Sequence, residues 1–522
     1  MSVQAPFRNN VLRRLPVEEI VGPHYGGRHR LSLIYKTRDL IVLGLGVMVG
    51  AGIFRVAGEQ AATTAGPAVI VSFVIAGLAC LLSALSYAEL SSTMPVAGSA
   101  YSFAYVAFGE IWAWVIGWAL LLELQLTAAV VGRAWSLYAT RLIGDVRTLS
   151  GVSAVHVPSA IAGVVGHETG FDLFSLLLLA VLTLVVASGA RLSLYTLWFM
   201  VLAKVIAIGL VISGGLLFFH PANLRPFVPP ARPLPAPDGD RTVLDLVTGG
   251  APHAFGLFGI FAATSAIAFA YLGFDLIATA AEETRDAPRR VPAGMIVSLL
   301  IAIALYIGVA VAMVGMVPYA RLNPATPLAD AFTAVGSDGM GLVIDVGAVI
   351  GLATVILVVM VAQTRVLFAM ARDGLLPAPL AVVSSRYKVP TRAALLTGGT
   401  AIALSQVDVW TFGKVSVLTL QQMIVIGTLF AFLFVSAGVP VLRRARPDLP
   451  RGFRVPGVPV TPVLAIAAVG WLMLNLRLRT WEYFGLWMAF GLGVYLLYGR
   501  TNSRLRHLLD GRPVRDPGRH RR

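Results

Sequence analysis

Long runs of apolar residues constrain this chain more than any other feature. A helix needs about 20 predominantly apolar residues to cross a hydrocarbon core of about 30 Å. Membrane-spanning strands would instead alternate polar and apolar residues, and these runs do not alternate. The sequence therefore predicts an all-α membrane protein with twelve transmembrane helices, at approximately residues 40–65, 67–90, 111–138, 171–188, 194–219, 254–281, 292–317, 341–370, 392–406, 416–441, 459–477 and 481–499.

The composition excludes other classes of protein. Hydrophobic residues make up 57% of the chain and charged residues 13%, whereas a soluble domain carries about 25% charged residues. A soluble enzyme and a disordered chain are both excluded. The single cysteine, Cys80, leaves no partner for an internal disulfide, and its place in an apolar run argues against a disulfide-linked heavy chain. The eight histidines show no metal-ligand spacing, so we expect neither a metal site nor a cofactor.

The positive charge is distributed as a membrane topology would place it. The 41 Lys and Arg residues lie mainly in short clusters between the apolar runs, so we expect no nucleic-acid partner. With both termini inside, 28 of these residues fall in inside segments, 9 in outside loops and 4 within the membrane. Because cytoplasmic loops carry an excess of Lys and Arg, we predict a multi-pass protein of the plasma (inner) membrane with both termini in the cytoplasm.

Two of the predicted helices contain residues that favour an interruption. The first contains Gly50, Ala51 and Gly52 near its middle, where small residues indicate either close helix packing or an unwound turn that lines a polar cavity. The sixth places Gly273 and Asp275 inside an apolar run, and this second interruption favours the unwound turn. Five spans separate the two, which matches an inverted repeat whose broken helices enclose a substrate.

This pattern divides the chain into segments. We predict a cytoplasmic N-terminal tail, a first repeat of helices 1 to 5, an extracellular Pro-rich loop, a second repeat of helices 6 to 10, helices 11 and 12, and a cytoplasmic Arg-rich tail. Their respective boundaries are 1–38, 39–219, 220–253, 254–441, 442–499 and 500–522.

The sequence resembles the amino acid–polyamine–organocation superfamily, in particular its cationic amino acid transporter branch and the bacterial amino acid permease relatives. Each matching motif is weak alone, but their order and spacing are specific. The motifs are GAGIF at 50–54, GW at 117–118, LE at 122–123, RAWS at 133–136, Lys204, FAYLGFD at 269–275, EE at 282–283, QTR at 363–365, ARDGLLP at 371–377 and FRVP at 453–456.

The resemblance implies a LeuT-like five-plus-five inverted repeat with unwound helices 1 and 6, plus two C-terminal helices. It implies that the amides of Ala51 and Gly52 bind a substrate carboxylate. Carbonyl groups near the two interruptions would accept hydrogen bonds from the substrate ammonium, and Phe274 and Met360 would bound the side-chain pocket. The remaining substrate-binding residues that it implies are Met48, Gly50, Ile53, Glu123, Phe269, Ala270 and Leu272.

Lys204 lies deep in a predicted span. It follows Arg191 by 13 residues, which is about 20 Å along a helix and too far for a lysine stem to snorkel. Burial favours the neutral amine, so one hypothesis is that Lys204 couples proton movement to transport, and the other is a structural pairing. The resemblance implies that a lysine here occupies the place of a sodium ion in sodium-coupled relatives.

Three further charged residues of the predicted spans bear on the site. Glu123 would contact the substrate ammonium or a cationic side chain, or else pair with Arg133 or a backbone group. Asp275 is interpreted as a gating or helix-terminating residue. Arg55 departs from the family pattern, in which an aliphatic residue is common, and would repel cationic substrates if it faced the pocket.

The function predicted from these features is secondary active transport of an amino acid by alternating access, coupled to protons. The chain shows no Walker motif, and we expect it not to be an enzyme. The alternatives are an amino acid exchanger or polyamine carrier on the same fold and, more distantly, an amino-acid-binding receptor or channel. The expected partners are an amino acid, a proton and the lipid bilayer.

Overall fold

The structure of the protein is a computed structural model. It describes residues 33, 35–50, 52–96, 98–150, 163–166, 170–189, 194–234, 241–250, 253–324, 326–387, 389–411, 415 and 417–509. The predicted site residue Ala51 lies outside this described part, as do residues 1–32 and 510–522 of the two predicted tails.

Helices account for most of the described chain, as the apolar runs predict. Within a membrane a helix satisfies the backbone N–H and C=O groups inside its own segment. The first half contains α1 (Thr37–Met48), a π-helical turn (Gly52–Val56), α2 (Ala57–Gln60), a second π-helical turn (Ala61–Ala65), a 3-10 turn (Gly66–Ala68), α3 (Val69–Thr93), α4 (Ala100–Ala107), α5 (Glu110–Ser150), α6 (Leu173–Ala187) and α7 (Leu194–Leu217).

A short connecting region follows α7 and contains a 3-10 turn (Pro221–Leu224), β1 (Arg232–Pro233), α8 (Val243–Thr248) and β2 (His253–Ala254). The two strands pair antiparallel, with Arg232 opposite Ala254. Helix α8 begins with a capping box: the Asp245 N–H donates to Thr242 Oγ1 over 3.1 Å, and the Thr242 N–H donates to Asp245 Oδ2 over 3.1 Å. The predicted extracellular loop therefore contains short regular elements.

The second half continues with further helices. They are α9 (Gly256–Tyr271), a 3-10 segment (Asp275–Glu283), α10 (Ala287–Met316), a 3-10 turn (Tyr319–Arg321), α11 (Pro327–Ala334), α12 (Asp338–Arg372), a 3-10 turn (Ala378–Ala381), α13 (Thr391–Ser405), α14 (Val407–Trp410), α15 (Val417–Ala445), α16 (Val460–Leu474), α17 (Leu478–Val494), a π-helical turn (Tyr495–Gly499), α18 (Arg500–Asn502) and α19 (Arg504–Leu509).

Within the described residues, seven helical segments are long and apolar enough to cross a membrane, and α6 and α16 are shorter apolar helices. A multi-pass helical membrane protein is thus confirmed, whereas the count of twelve spans stays a prediction. The seven segments are Gly52–Thr93, Glu110–Gly144, Tyr195–Leu217, Gly256–Glu283, Ala287–Met316, Gly339–Arg372 and Leu420–Ala445.

The first of these segments joins the second half of predicted span 1 to predicted span 2. The chain turns at Gly66, whose φ of 63° lies in the left-handed region that favours glycine, and Pro67 follows within the 3-10 turn. A Cβ at Gly66 would lie 2.5 Å from Cγ of Pro229. This turn is therefore packed against the Pro-rich connection that follows α7.

The two interrupted segments lie beside each other at the centre of the fold. Helix α1 contacts the 3-10 segment Asp275–Glu283, and the π-helical turn Gly52–Val56 contacts α9. The first half of each interrupted segment thus packs against the second half of the other. Helices α5 and α12, which pack along each other, and α10, which packs against α1, surround this pair.

Candidate functional site

The first interruption separates α1 from the π-helical turn that begins at Gly52. Helix α1 ends at Met48, and Val49 has φ −75° and ψ 85°, which is not helical. The carbonyl of Gly50 accepts hydrogen bonds from the N–H groups of Ile53 and Phe54 over 3.1 and 3.4 Å. The predicted interruption at Gly50 is therefore present in the structure.

Lys204 binds the carbonyl groups at this interruption. Its side chain is fully buried, and Nζ donates to the carbonyl oxygens of Gly46 and Val49 over 2.6 and 2.9 Å. The last carbonyls of a helix lack intrahelical partners, and Lys204 supplies a partner to one of them, that of Gly46, and to the carbonyl of Val49 just after the helix. The Lys204 side chain thus connects α7 to the end of α1.

The second interruption follows α9. Leu272 adopts an extended conformation with φ −64° and ψ 143°, and Gly273 has φ 115°, which a residue with a side chain rarely adopts. Asp275 Oδ1 accepts a hydrogen bond from the Gly273 N–H over 3.2 Å. Asp275 therefore stabilises the interruption directly, which agrees with its interpretation as a helix-terminating residue.

The interruptions touch each other at Gly52 and Ala270. A Cβ at Gly52 would lie 2.4 Å from Cα of Ala270, so the glycine is required by a close approach of two backbones. The hydroxyl of Tyr306 lies between them, within hydrogen-bonding distance of the carbonyl of Met48 and 2.8 Å from that of Ala270. One hydroxyl proton serves two acceptors, so both carbonyls keep accepting capacity for another donor.

Sequence reasoning missed Tyr306. It is fully buried in α10, where a phenolic hydroxyl within an apolar helix requires a hydrogen-bond partner. That requirement is the signal in the sequence, but the identity of the partner depends on the packing of α10 against both interruptions.

A cavity of about 30 Å³ lies beside the two interruptions. It is mostly apolar, with one carboxylate and one hydroxyl among its lining side chains. The lining residues are Val47, Met48, Glu123, Leu124, Thr127, Val131, Phe269, Leu272, Gly273, Leu276, Val355 and Val359. Four predicted site residues, Met48, Glu123, Phe269 and Leu272, therefore meet at one cavity, and Ile53, which is buried, lies on the adjoining turn.

Glu123 is the charged residue of the cavity wall. It is 3% exposed, and its Oε2 has no hydrogen-bond partner within the described part of the chain. Oδ2 of the buried Asp275 likewise has none there, and the two carboxylates are close enough to interact electrostatically. A buried carboxylate oxygen without a donor is costly, so Oε2 of Glu123 is suited to bind a cationic group that enters the cavity.

Arg133 lies on α5 and is the alternative partner predicted for Glu123, but it interacts with residues of other segments. Its Nη1 and Nη2 lie 3.7 and 3.5 Å from carboxylate oxygens of Asp172 and Asp408, and its Nε donates to the Ser405 carbonyl over 2.6 Å. Ten residues separate Glu123 from Arg133, which is about 15 Å along a helix. The structure assigns Arg133 to the packing of α5 against α6, α13 and α14.

Phe274 and Met360 are not among the residues that line the cavity. The ring centroid of Phe274 is 5.9 Å from that of Tyr87 and 5.0 Å from that of Phe432, and Met360 is fully buried in α12. Val355 and Val359 form the part of the lining contributed by α12. Sequence reasoning missed these two valines because the apolar run gives no sign of which face of α12 lies toward the cavity.

The charged residues at the ends of the interrupted segments form ion pairs. Nε of Arg55 lies 3.5 Å from Glu59 Oε2, one turn further along the same segment, and Arg55 is not part of the cavity lining. Nη2 of Arg365 lies 2.5 Å from Glu283 Oε1, so an ion pair is present beyond the second interruption. Groups of three or more potential metal-ligating side chains are absent from the described residues.

Comparisons of the sequence with known proteins identify a family of membrane transporters. The model of the amino acid permease family matches residues 35–494. The chain is 38% identical to a methylthioribose transporter of Bacillus subtilis over 499 residues, covering 95% of this chain and 99% of the relative. It is 36% identical to the branched-chain amino acid permease BcaP of B. subtilis, over 96% of this chain and 100% of the relative.

A relative from a human source is also named as a transporter. The human cationic amino acid transporter 4 is 35% identical over 408 residues, which is 78% of this chain and 59% of the relative. The family and these relatives are transporters rather than enzymes. The matches cover the interrupted helices and the cavity, and they confirm the family resemblance that the motifs predict. The chain belongs to the amino acid permease family.

Proposed function

We propose that this amino acid permease is a secondary active transporter that moves its substrate together with protons by alternating access. The observation that carries the proposal is the contact between two helix interruptions, at Gly52 and Ala270, beside a buried cavity that contains Glu123. Irregular backbone is tolerated at membrane depth where it lines a cavity or is buried in protein. Interruptions of this kind are typical of substrate sites in transporters.

The interruptions offer opposite partners to the two ends of an amino acid. The N–H groups of Ala51 and Gly52 are assigned to the carboxylate in this proposal, because the first N–H groups of a helical segment, here the turn that begins at Gly52, lack intrahelical acceptors. The carbonyls of Met48, Ala270 and Leu272, together with the Glu123 carboxylate, are suited to the ammonium group. A zwitterion carries both groups and can bind both interruptions at once.

The size of the cavity supports a conformational cycle. A volume of about 30 Å³ accommodates one or two waters, so an amino acid requires its walls to separate. In the proposed LeuT-like arrangement, helices of the segments 39–219 and 254–441 form two inverted repeats that rock about the interruptions. The Arg365–Glu283 ion pair would break and reform as the inner side opens and closes.

Lys204 is the proposed proton-coupling residue. Burial favours its neutral form, whereas the end of α1, where carbonyl dipoles gather, favours its charged form. Small movements of α1 relative to α7 would change this balance. Proton gain and loss at Lys204 would therefore be coupled to the position of the first interruption.

Uptake into proteoliposomes tests the proposal. The purified protein is reconstituted without sodium and without internal amino acid, and labelled leucine is added under an inwardly directed proton gradient. We expect saturable accumulation above equilibrium that a protonophore abolishes. Uptake that requires internal amino acid would instead establish an exchanger, and saturable binding without accumulation would establish a receptor. A parallel series with methylthioribose tests the substrate named for the relative that is 38% identical.

The Glu123→Gln substitution keeps the side-chain shape and removes the charge. We expect kcat/KM for uptake to fall by about 10- to 100-fold, since a hydrogen bond to a charged group contributes about 1.5–3 kcal/mol. Glu482→Gln, at an exposed position of α17, is the matched control. Unchanged kinetics in Glu123→Gln across several amino acids would assign this carboxylate a structural role only.

The Tyr306→Phe substitution removes the hydroxyl that lies between the two interruptions. We expect a lower melting temperature, because leaving a buried acceptor unsatisfied costs about 1–3 kcal/mol. We also expect about a tenfold weaker substrate affinity, because the hydroxyl no longer holds the two interruptions at a fixed spacing. Binding and thermal unfolding are measured on detergent-purified protein, with Tyr483→Phe in α17 as the control. Wild-type affinity and stability in Tyr306→Phe would contradict the role of this hydroxyl.

A further inference from the structure

Arg141 lies toward the end of α5 and contacts two other helices. Its Nε donates to Oδ2 of Asp345 on α12 over 3.0 Å, and its Nη1 forms an ion pair with Oδ1 of Asp330 on α11. Nη1 also donates to Oγ1 of Thr326, the residue before α11, over 3.1 Å. We call these four residues the Arg141 cluster. The cluster joins α5, α11 and α12, and none of its members lines the cavity.

The Arg141 cluster and the Arg365–Glu283 ion pair lie on opposite sides of the cavity. Asp345 and Arg365 are both on α12 and are 20 residues apart, which is about 30 Å along a helix and matches the thickness of a hydrocarbon core. Val355, which lines the cavity, lies midway between them. The distribution of Lys and Arg predicts that the Arg141 cluster is on the extracellular side.

The two carboxylates of the cluster differ in burial. Asp345 is fully buried, whereas the side chain of Asp330 is 29% exposed. Breaking a buried ion pair leaves a buried charge without compensation, while water can replace the partner of an exposed charge. Asp345 therefore keeps Arg141 in place between α5 and α12, and the pair with Asp330 is the one that can break and reform.

Helix α11 packs in turn against the segment that follows the first interruption. A Cβ at Gly58, in α2, would collide with the side chain of Pro327, the first residue of α11. Tyr138 lies three residues before Arg141, on the same face of α5, and its hydroxyl donates to the carbonyl of Phe54 over 2.9 Å. Helix α5 thus holds this segment at two places, directly through Tyr138 and indirectly through Arg141 and α11.

We propose that Arg141 is a positioning residue that keeps the extracellular side of the substrate site closed, and that its ion pair with Asp330 breaks when that side opens. Helix α11 then moves away from α5 together with the segment that follows the first interruption, while Asp345 keeps Arg141 on α5 and α12. Water that enters the opened space hydrates both charges of the broken pair. This inference rests on the proposed alternating-access function.

Cysteine accessibility tests this inference. The single cysteine, Cys80, is buried, so Cys80→Ala gives a cysteine-free background, and Thr127→Cys places a reporter of similar size in the cavity lining. Intact cells are treated with a membrane-impermeant thiol reagent. Arg141→Gln and Asp330→Asn should each raise the labelling rate of the reporter about tenfold, because hydrogen bonds to charged groups are the stronger ones. The double variant should label no faster than either single variant, since both remove the same interaction.

Inside-out vesicles separate opening of one side from general loosening of the protein. In alternating access the site opens to one side at a time, so labelling from the cytoplasmic side should not rise in Arg141→Gln or Asp330→Asn. Arg321→Gln changes an exposed arginine in the 3-10 turn before α11. It is the matched control and should label at the rate of the parent protein.

Three results would overturn the role of Arg141: an unchanged extracellular labelling rate in both variants, equal increases from both sides, or an increase from the cytoplasmic side alone. Should Arg141→Gln fail to fold, the partly exposed substitution Asp330→Asn decides the question. Added leucine tests the proposed amino acid site separately, since it should slow labelling of the reporter in the parent protein. Faster extracellular labelling in the variants without protection by leucine would support the role of Arg141 and contradict the amino acid site.

Discussion

Lys204→Ala is expected to reduce accumulation of substrate to its equilibrium level while leaving substrate binding measurable. In the wild type Nζ of Lys204 binds the carbonyls of Gly46 and Val49 at the end of α1. Alanine removes the titratable group, so a proton gradient no longer acts on this interruption. The cavity lining keeps all its side chains, because Lys204 is not one of them.

Lys204→Arg provides the matched comparison. Arginine keeps a positive charge and hydrogen-bond donors, but it is not deprotonated in proteins. If proton exchange at this position drives uptake, the arginine variant also fails to accumulate substrate while binding it. Gradient-driven uptake at wild-type rates in either variant would exclude Lys204 from proton coupling. Uptake is measured in proteoliposomes, and binding is measured on the same preparations in detergent.

Gly52→Ala is expected to lower the transport rate by about 100-fold, since a misplacement of about 1 Å in a site can have an effect of that size. The added Cβ would lie 2.4 Å from Cα of Ala270. That neighbour is backbone and cannot rotate away, so the two interruptions must separate. The groups proposed to bind the carboxylate and the ammonium would then no longer lie at the distance that one amino acid spans.

Gly209→Ala is the control for this substitution. Gly209 lies in α7, where an added Cβ would meet no atom within 4 Å, and alanine favours a helix more than glycine does. We expect normal transport and equal or higher thermal stability for Gly209→Ala. Transport by Gly52→Ala at more than half the wild-type rate would show that the close contact between the interruptions is not required.

The positions of the helices and of both interruptions could be predicted from the sequence, because the physical constraints on them are local. A membrane-spanning helix requires a run of apolar residues, and Gly273 followed by Asp275 interrupts such a run visibly. The first interruption follows from Gly50 and Gly52 in the same way. The position of Lys204 near the middle of α7 could also be predicted, since it depends only on the number of residues from the end of the helix.

The packing partners could not be predicted in this way. Nothing in the apolar run of α12 indicates that Val355 and Val359 line the cavity while Met360 does not. The partners of Arg133 come from α6 and α14, whose packing against α5 is a property of the whole fold. The bridge made by Tyr306 requires three separate segments to meet. Side-chain positions across helices therefore needed the structure, whereas breaks within a helix did not.

The two touching interruptions are proposed to bind both charged groups of an amino acid. The most direct test of this proposal is displacement of labelled leucine from the purified protein by leucine, by leucine methyl ester, in which the carboxylate is blocked, and by N-acetylleucine, in which the amine is blocked. We predict that leucine displaces the label and that neither blocked compound displaces it at a 100-fold higher concentration. A 100-fold weaker affinity corresponds to a loss of about 2.7 kcal/mol of binding free energy. Displacement by either blocked compound at the concentration that suffices for leucine would contradict the account.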